Sequence, residues 1–91
     1  MTNPVTSEVG TQVLFENDDV RIWDLVLQPG ERQGFHKHEN DYLLIFAGDC
    51  RLRSINEDGS TRFESDMKDG QCFHRVLTGE QDIHDALNAG D

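Results

Sequence analysis

His36 and His38 stand two residues apart in Gly34-Phe35-His36-Lys37-His38-Glu39, directly before the apolar run Tyr42-Leu43-Leu44-Ile45-Phe46. A strand repeats its faces every second residue, so this spacing points both imidazoles the same way and Lys37 the other. Two imidazoles side by side on a sheet are half of a metal site. A third, His84, lies in His84-Asp85-Ala86-Leu87-Asn88 near the end of the chain. A site exists only if the fold carries His84 back to the first pair. Three neutral imidazoles suit a first-row divalent ion such as iron, nickel, zinc or manganese. They do not suit calcium, which takes oxygen ligands.

The elements that must position these residues are strands. Gln12–Glu16 reads as a short strand stopped by Asn17-Asp18-Asp19. Val20–Leu27 alternates apolar residues on both faces and is expected to be covered on both. Gln28-Pro29-Gly30-Glu31 is a turn. Asp41–Ala47, Cys50–Ile55, Thr61–Met67, Gln71–Val76 and Ile83–Asn88 follow as strands, with Asn56-Glu57-Asp58-Gly59-Ser60 a hairpin signal. Thr78–Asp82 reads as a polar loop. No long window has helical periodicity, and turns recur every eight to twelve residues or so, the pattern of an all-β sandwich or barrel. Residues 1–10 read as a loose lead-in and 11–91 as one domain.

Composition removes several function classes. Eighteen acidic and eight basic residues give a formal charge of −10. Nucleic acid and anionic membranes both select a basic footprint, so neither is an expected partner. No apolar segment approaches the roughly 20 residues that span a bilayer. The first residues, Met-Thr-Asn-Pro-Val-Thr-Ser-Glu, lack the basic and apolar parts of a secretory signal. A cytoplasmic location is therefore expected, with Cys50 and Cys72 reduced. The cysteines read as small packed residues, with a cross-strand disulfide or a metal-facing thiol as the alternatives.

The spacing of the histidines and glycines resembles the cupin family. The first cupin motif is Gly, five residues, His-x-His, three or four residues, Glu, six residues, Gly. Here Gly30, five residues, His36-Lys37-His38, two residues, Asp41, six residues and Gly48 stand in that order. The second motif, opening on Gly and ending in His, three residues, Asn, is matched by Gly70 and His84-Asp85-Ala86-Leu87-Asn88, without the usual central proline. The resemblance covers about residues 12–91 and also extends to a subgroup of short cupins, through Leu14–Trp23 and Leu27–Gly30.

That resemblance implies a cupin-type jelly-roll barrel in which His36, His38 and His84 hold one divalent metal. Asp41 would be the fourth ligand, in place of the family's Glu. Asp41, Leu43, Ile45 and Ala47 would then line the barrel. Tyr42, Leu44 and Phe46 would face outward, against a second subunit. Cupins normally run on for a further strand, so the chain's stop three residues after Asn88 leads us to expect a barrel lacking its last strand and completed in a homodimer. The implied activity is metal-dependent chemistry on a small organic molecule such as a carboxylic acid. A non-catalytic small-molecule-binding or sensing module, with a structural metal or none, is the alternative. Arg51 and Arg53 are read either as holding a substrate carboxylate or as a solvated strand face balancing nearby acids. His74 is given no role, and Asn88 is expected to pin backbone.

Overall fold

A computed structural model describes residues 5–90 as eight strands, with no helix among those residues. They are β1 (Gln12–Glu16), β2 (Arg21–Asp24), β3 (His36–His38), β4 (Tyr42–Ile45), β5 (Cys50–Asn56), β6 (Thr61–Met67), β7 (Cys72–Arg75) and β8 (Asp82–Asn88). The strands form three antiparallel sheets: a four-stranded sheet in the order β3-β8-β5-β6 and two pairs, β1-β2 and β4-β7. The all-β class expected from the sequence is the observed one. No closed barrel is formed among the described residues.

The turns form where short polar side chains hold the backbone. Asn17 Oδ1 accepts the amides of Asp19 and Val20, both at 2.8 Å, and so joins β1 to β2. The β5–β6 hairpin closes through Asn56 and Ser60 (N–O 2.8 Å), with Asp58 Oδ1 accepting the Ser60 amide. The strand expected over Val20–Leu27 shortens to Arg21–Asp24. Its partner β1 starts at Gln12, paired with Asp24, and Thr11 takes up the Asp24 carbonyl and the Val26 amide. Gly10 packs here against Trp23. A Cβ at that position would stand 2.6 Å from the Trp23 Cβ, so no larger residue fits without a shift.

Two expectations are corrected. One face of β2 is not covered, for Val20, Ile22 and Val26 are all exposed, whereas Trp23, Leu25 and Leu27 on the other face are half-buried. The lead-in is tied down at Thr6, whose amide donates to the Phe35 carbonyl and whose carbonyl accepts the Lys37 amide, in a parallel bridge on the free edge of β3. Residues 1–4 of that lead-in, and residue 91, lie outside the described residues.

The best-shielded apolar side chains are Ile55, Met67, Leu77 and Ala86. Buried with them are five polar residues, His36, His38, Ser54, Asp82 and Asp85. Buried polar groups persist where they are hydrogen-bonded or bind an ion. The interior of the four-stranded sheet is thus organised around polar groups.

Candidate metal centre

The register of β3 on β8 brings the distant histidines together. His36 lies opposite His84, and His38 opposite Asp82. Because β8 also pairs with β5, it carries the tail imidazole into the middle of the sheet. The sequence-level requirement that His84 return to the first pair is met. Ring centroids stand 5.0 Å (His36–His38), 4.5 Å (His36–His84) and 5.0 Å (His38–His84) apart, with the planes steeply inclined to one another. One nitrogen from each ring lies within 4.8 Å of the other two. The Nε2 atoms of His38 and His84 are 3.1 Å apart. Two nitrogens each about 2.1 Å from one ion would be about 3.0 Å apart at a right angle and about 3.4 Å apart at the tetrahedral angle, so that pair, which shares a hydrogen bond here, is already close to ligand spacing.

Hydrogen bonding sets which nitrogens are free. His36 Nδ1 donates to the Gly34 carbonyl at 3.0 Å, since a carbonyl only accepts. That leaves Nε2 with its lone pair. His84 Nδ1 faces Arg62 Nη1 at 3.3 Å, which can only donate to it, and Ser54 Oγ at 3.4 Å and Asp82 Oδ2 at 3.9 Å, which can accept its proton when Nε2 serves as a ligand. Burial is the main force on the protonation of all three rings. It lowers His36, and it lowers His38 to about 4 with help from the neighbouring His36 and His84. It lowers His84 to about 4 as well, again with His36 adding to the effect. The cluster is therefore neutral at pH 7, the state in which imidazole binds metal.

Gly34 has a structural part in this placement. Arg32 lies opposite Leu87 and His36 opposite His84, so three residues face two, and the extra one is absorbed as a bulge with Gly34 at φ 99°. That positive φ is the left-handed region where a side chain is strained. The bulge lets Arg32 and Phe35 share the outer face, where the guanidinium stands 5.8 Å from the ring, while His36 turns inward.

Asp82 organises the groups around the rings. It is 6% exposed and accepts hydrogen bonds from Arg62 Nη1 at 3.2 Å and the Tyr42 hydroxyl at 3.4 Å. Arg62 Nη2 and Arg75 Nε add ion pairs at 3.0 and 3.8 Å. Burial alone would raise its pKa; the Arg62 hydrogen bond and the charges of Arg62 and Arg75, joined by His84 once acid protonates that ring, outweigh this and hold the carboxyl below its ordinary value. Tyr42 stacks on His38, centroids 3.9 Å apart and planes 22° from parallel, and burial followed by the Asp82 charge pushes its phenol pKa up. The cluster thus rests on an aromatic plate and beside a committed ion pair.

The orientation of β4 is the reverse of that expected. Tyr42, Leu44 and Phe46 are partly buried, whereas Leu43 and Ile45 are 60% and 62% exposed. Counting in twos from His36 and His38 reaches Tyr42, Leu44 and Phe46, so the parity of β3 carries across Glu39-Asn40-Asp41, and the expectation for Asp41, taken from the family motif, ran against it. Once Tyr42 stacks on His38, Asp41 faces away. Its Oδ1 accepts the Leu77 amide at 2.8 Å, pinning the loop before β8, and the nitrogen cluster consists of His36, His38 and His84.

The remaining candidates are plainly placed. Arg51 and Arg53 both pair with Glu64, at 2.8 and 2.5 Å, and Arg51 also with Asp66, which is the solvated-face alternative. Asn88 pins backbone, donating to the Leu27 carbonyl and accepting the Gly90 amide. His74 is exposed opposite Leu43. Cys50 and Cys72 are free thiols, and Cys72 is exposed rather than packed. Sequence reasoning missed Tyr42, Arg62 and Asp82. For Asp82 a signal existed, because it stands two residues before His84 and so shares its face.

Comparison with known proteins gave no matching family model, curated protein or solved structure. Among the described residues no helix is long and apolar enough to cross a membrane.

Proposed function

We propose that this chain is a small cupin-like metal-binding domain. His36, His38 and His84 hold one divalent transition ion, iron, nickel, zinc or manganese, and a small organic molecule such as a carboxylic acid binds beside it. The observation that carries the reading is the convergence of three neutral imidazoles from strands 46 residues apart, with two Nε2 atoms already 3.1 Å from one another. Three imidazoles leave coordination positions free, and an ion there would act as a Lewis acid on a bound oxygen. The chain's own contribution is to keep the rings neutral, to fix the His36 tautomer through Gly34, and to support His38 on Tyr42. The apolar side chains left open on β4, Leu43 and Ile45, fit the further proposal that a second copy of the chain covers them.

A non-catalytic binding or sensing role is the second reading. One observation favours it: Asp82, the carboxylate beside the rings, is committed to Arg62 and Arg75 and is not free to act as a base.

The test is melting of untagged, metal-free protein with iron(II), nickel, zinc or manganese. An ion at about a hundred times its Kd stabilises by about 2.7 kcal/mol, so a rise on the order of 10 °C is expected from at least one of them. Unchanged melting with all four would contradict the proposal. Turnover or tight binding of small carboxylates by the loaded protein then separates the two readings.

A further inference from the structure

We infer that Arg62 regulates ion binding at the imidazole site, its guanidinium holding metal-free His84 in the tautomer whose Nε2 cannot take an ion. The inference rests on the metal-binding reading and concerns the affinity of that same site. Arg62 is the extra residue of a bulge. Thr61 lies opposite Ile55 and Phe63 opposite Ser54, so three residues of β6 face two of β5, and Arg62 between them has no cross-strand partner. Freed from strict alternation, its side chain reaches the face that carries Asp82, His84 and Asn56, the last of these paired with His84.

The guanidinium is held there from two sides. Nε donates to Asn56 Oδ1 at 2.7 Å, and Nη1 and Nη2 fork onto the two Asp82 oxygens at 3.2 and 3.0 Å. The fork leaves the second Nη1 proton for His84 Nδ1, 3.3 Å away.

The direction of that last hydrogen bond decides the rest. A guanidinium only donates, so Nδ1 accepts, and the one proton of the neutral ring sits on Nε2. His84 Nε2 then donates to His38 Nε2 at 3.1 Å, which places the His38 proton on Nδ1. His36 carries its proton on Nδ1 as well, facing the Gly34 carbonyl. Two rings thus present a lone pair at Nε2 and the third presents a proton. For one ion to meet all three, the His84 proton must leave Nε2 and return through water to Nδ1 of the same ring, with no change in charge. Nδ1–H then faces Ser54 Oγ and Asp82, and the Arg62 donor must swing aside. Arg62 therefore opposes the ion twice, through the hydrogen bond that is lost and through a positive charge beside a ligand ring.

The test reads ring tautomers in metal-free, isotope-labelled protein by multiple-bond proton–nitrogen NMR, and ion affinity by cobalt(II) titration against a competing chelator. In wild type His84 should carry its proton on Nε2, and His36 and His38 on Nδ1. In Arg62→Met the His84 proton should move to Nδ1 and the cobalt Kd should fall about tenfold. Arg62→Lys keeps the charge beside Asp82 but gives up the fixed fork, so it should move the tautomer the same way with a smaller gain in affinity. Should Arg62→Met fail to fold, Arg62→Lys carries the same comparison. Arg75→Met removes the other Asp82 ion pair; it should leave the tautomer unchanged and move the cobalt Kd less than Arg62→Met does. Wild-type His84 protonated at Nδ1 would overturn the inference, as would equal cobalt affinity in wild type and the folded Arg62 variants. An equal gain in Arg75→Met would overturn it too, by making net charge the cause. Wild-type and Arg62→Met protein that both take up no cobalt would instead remove the metal-binding reading beneath it.

Discussion

The four-stranded sheet and the β4-β7 pair treat their side chains in opposite ways. The first buries His36 at 2% exposure, with His38, Ser54, Asp82 and Asp85 also enclosed. The second leaves Leu43, Ile45, Phe73 and Val76 in or beside it exposed, and the β1-β2 pair does the same with Val13, Leu14, Phe15 and Ile22. Ordinary domains reverse this allocation, enclosing aliphatic groups and paying out polar ones to water. Shielding is spent here on groups that bind protons or ions. The two-stranded pairs, with little packed against them, depend on the larger sheet or on a partner for their order.

The largest effect expected from breaking this contrast is at Asp82. Asp82→Asn removes the charge that Arg62 and Arg75 share and is expected to destabilise by about 3 kcal/mol, measured by urea unfolding. An equal-sized change at Glu64, also bridged by two arginines but with its side chain 25% exposed, should cost markedly less. If the two variants cost the same, the enclosed sheet is not the organising region.

Acid should weaken the metal-free protein through the same residues. His38 and His84 titrate near 4 when folded and near 6.5 when unfolded. Between those values the unfolded chain binds more protons, so their contribution is complete above about pH 6.5 and is lost as the pH falls toward 4. The steepest slope is about 1.4 kcal/mol per pH unit for each ring. Urea midpoints measured from pH 7.5 to 4.5 check this, and His38→Gln should flatten the curve.

Asp41 gives a smaller and more discriminating effect. Asp41→Ala loses the acceptor for the Leu77 amide and is expected to cost about 1 kcal/mol, while bound metal per chain stays unchanged. Loss of metal with little loss of stability would restore Asp41 as a ligand. The mildest probe is amide hydrogen exchange without any substitution. Amides paired between β5 and β8 should exchange more slowly than those between β4 and β7, because local opening follows packing.

The sequence was most informative where periodicity was unbroken. His36 and His38 alternate with Lys37 inside one strand, and β6 was legible to its last residue, because nothing interrupts the count. The inward turn of Tyr42 was legible too, for it keeps the parity of His36 and His38 across Glu39-Asn40-Asp41; the expectation that Asp41 turns inward followed the family motif against that count. The Gly34 bulge does reset the phase, and is invisible until the pairing of Arg32 with Leu87 is known. Asp82 was assigned to a polar loop since its neighbours are loop formers, although the carboxylate is drawn inward by Arg62 and Arg75 from other strands.

The account depends on three imidazoles sharing one ion, and metal content tests this directly. Untagged protein should carry close to one divalent transition ion per chain after exposure to the preferred metal, and His36→Ala and His84→Ala, each shown folded by circular dichroism, should carry almost none. Full metal content in a folded His84→Ala protein would contradict the convergence on which the site is built.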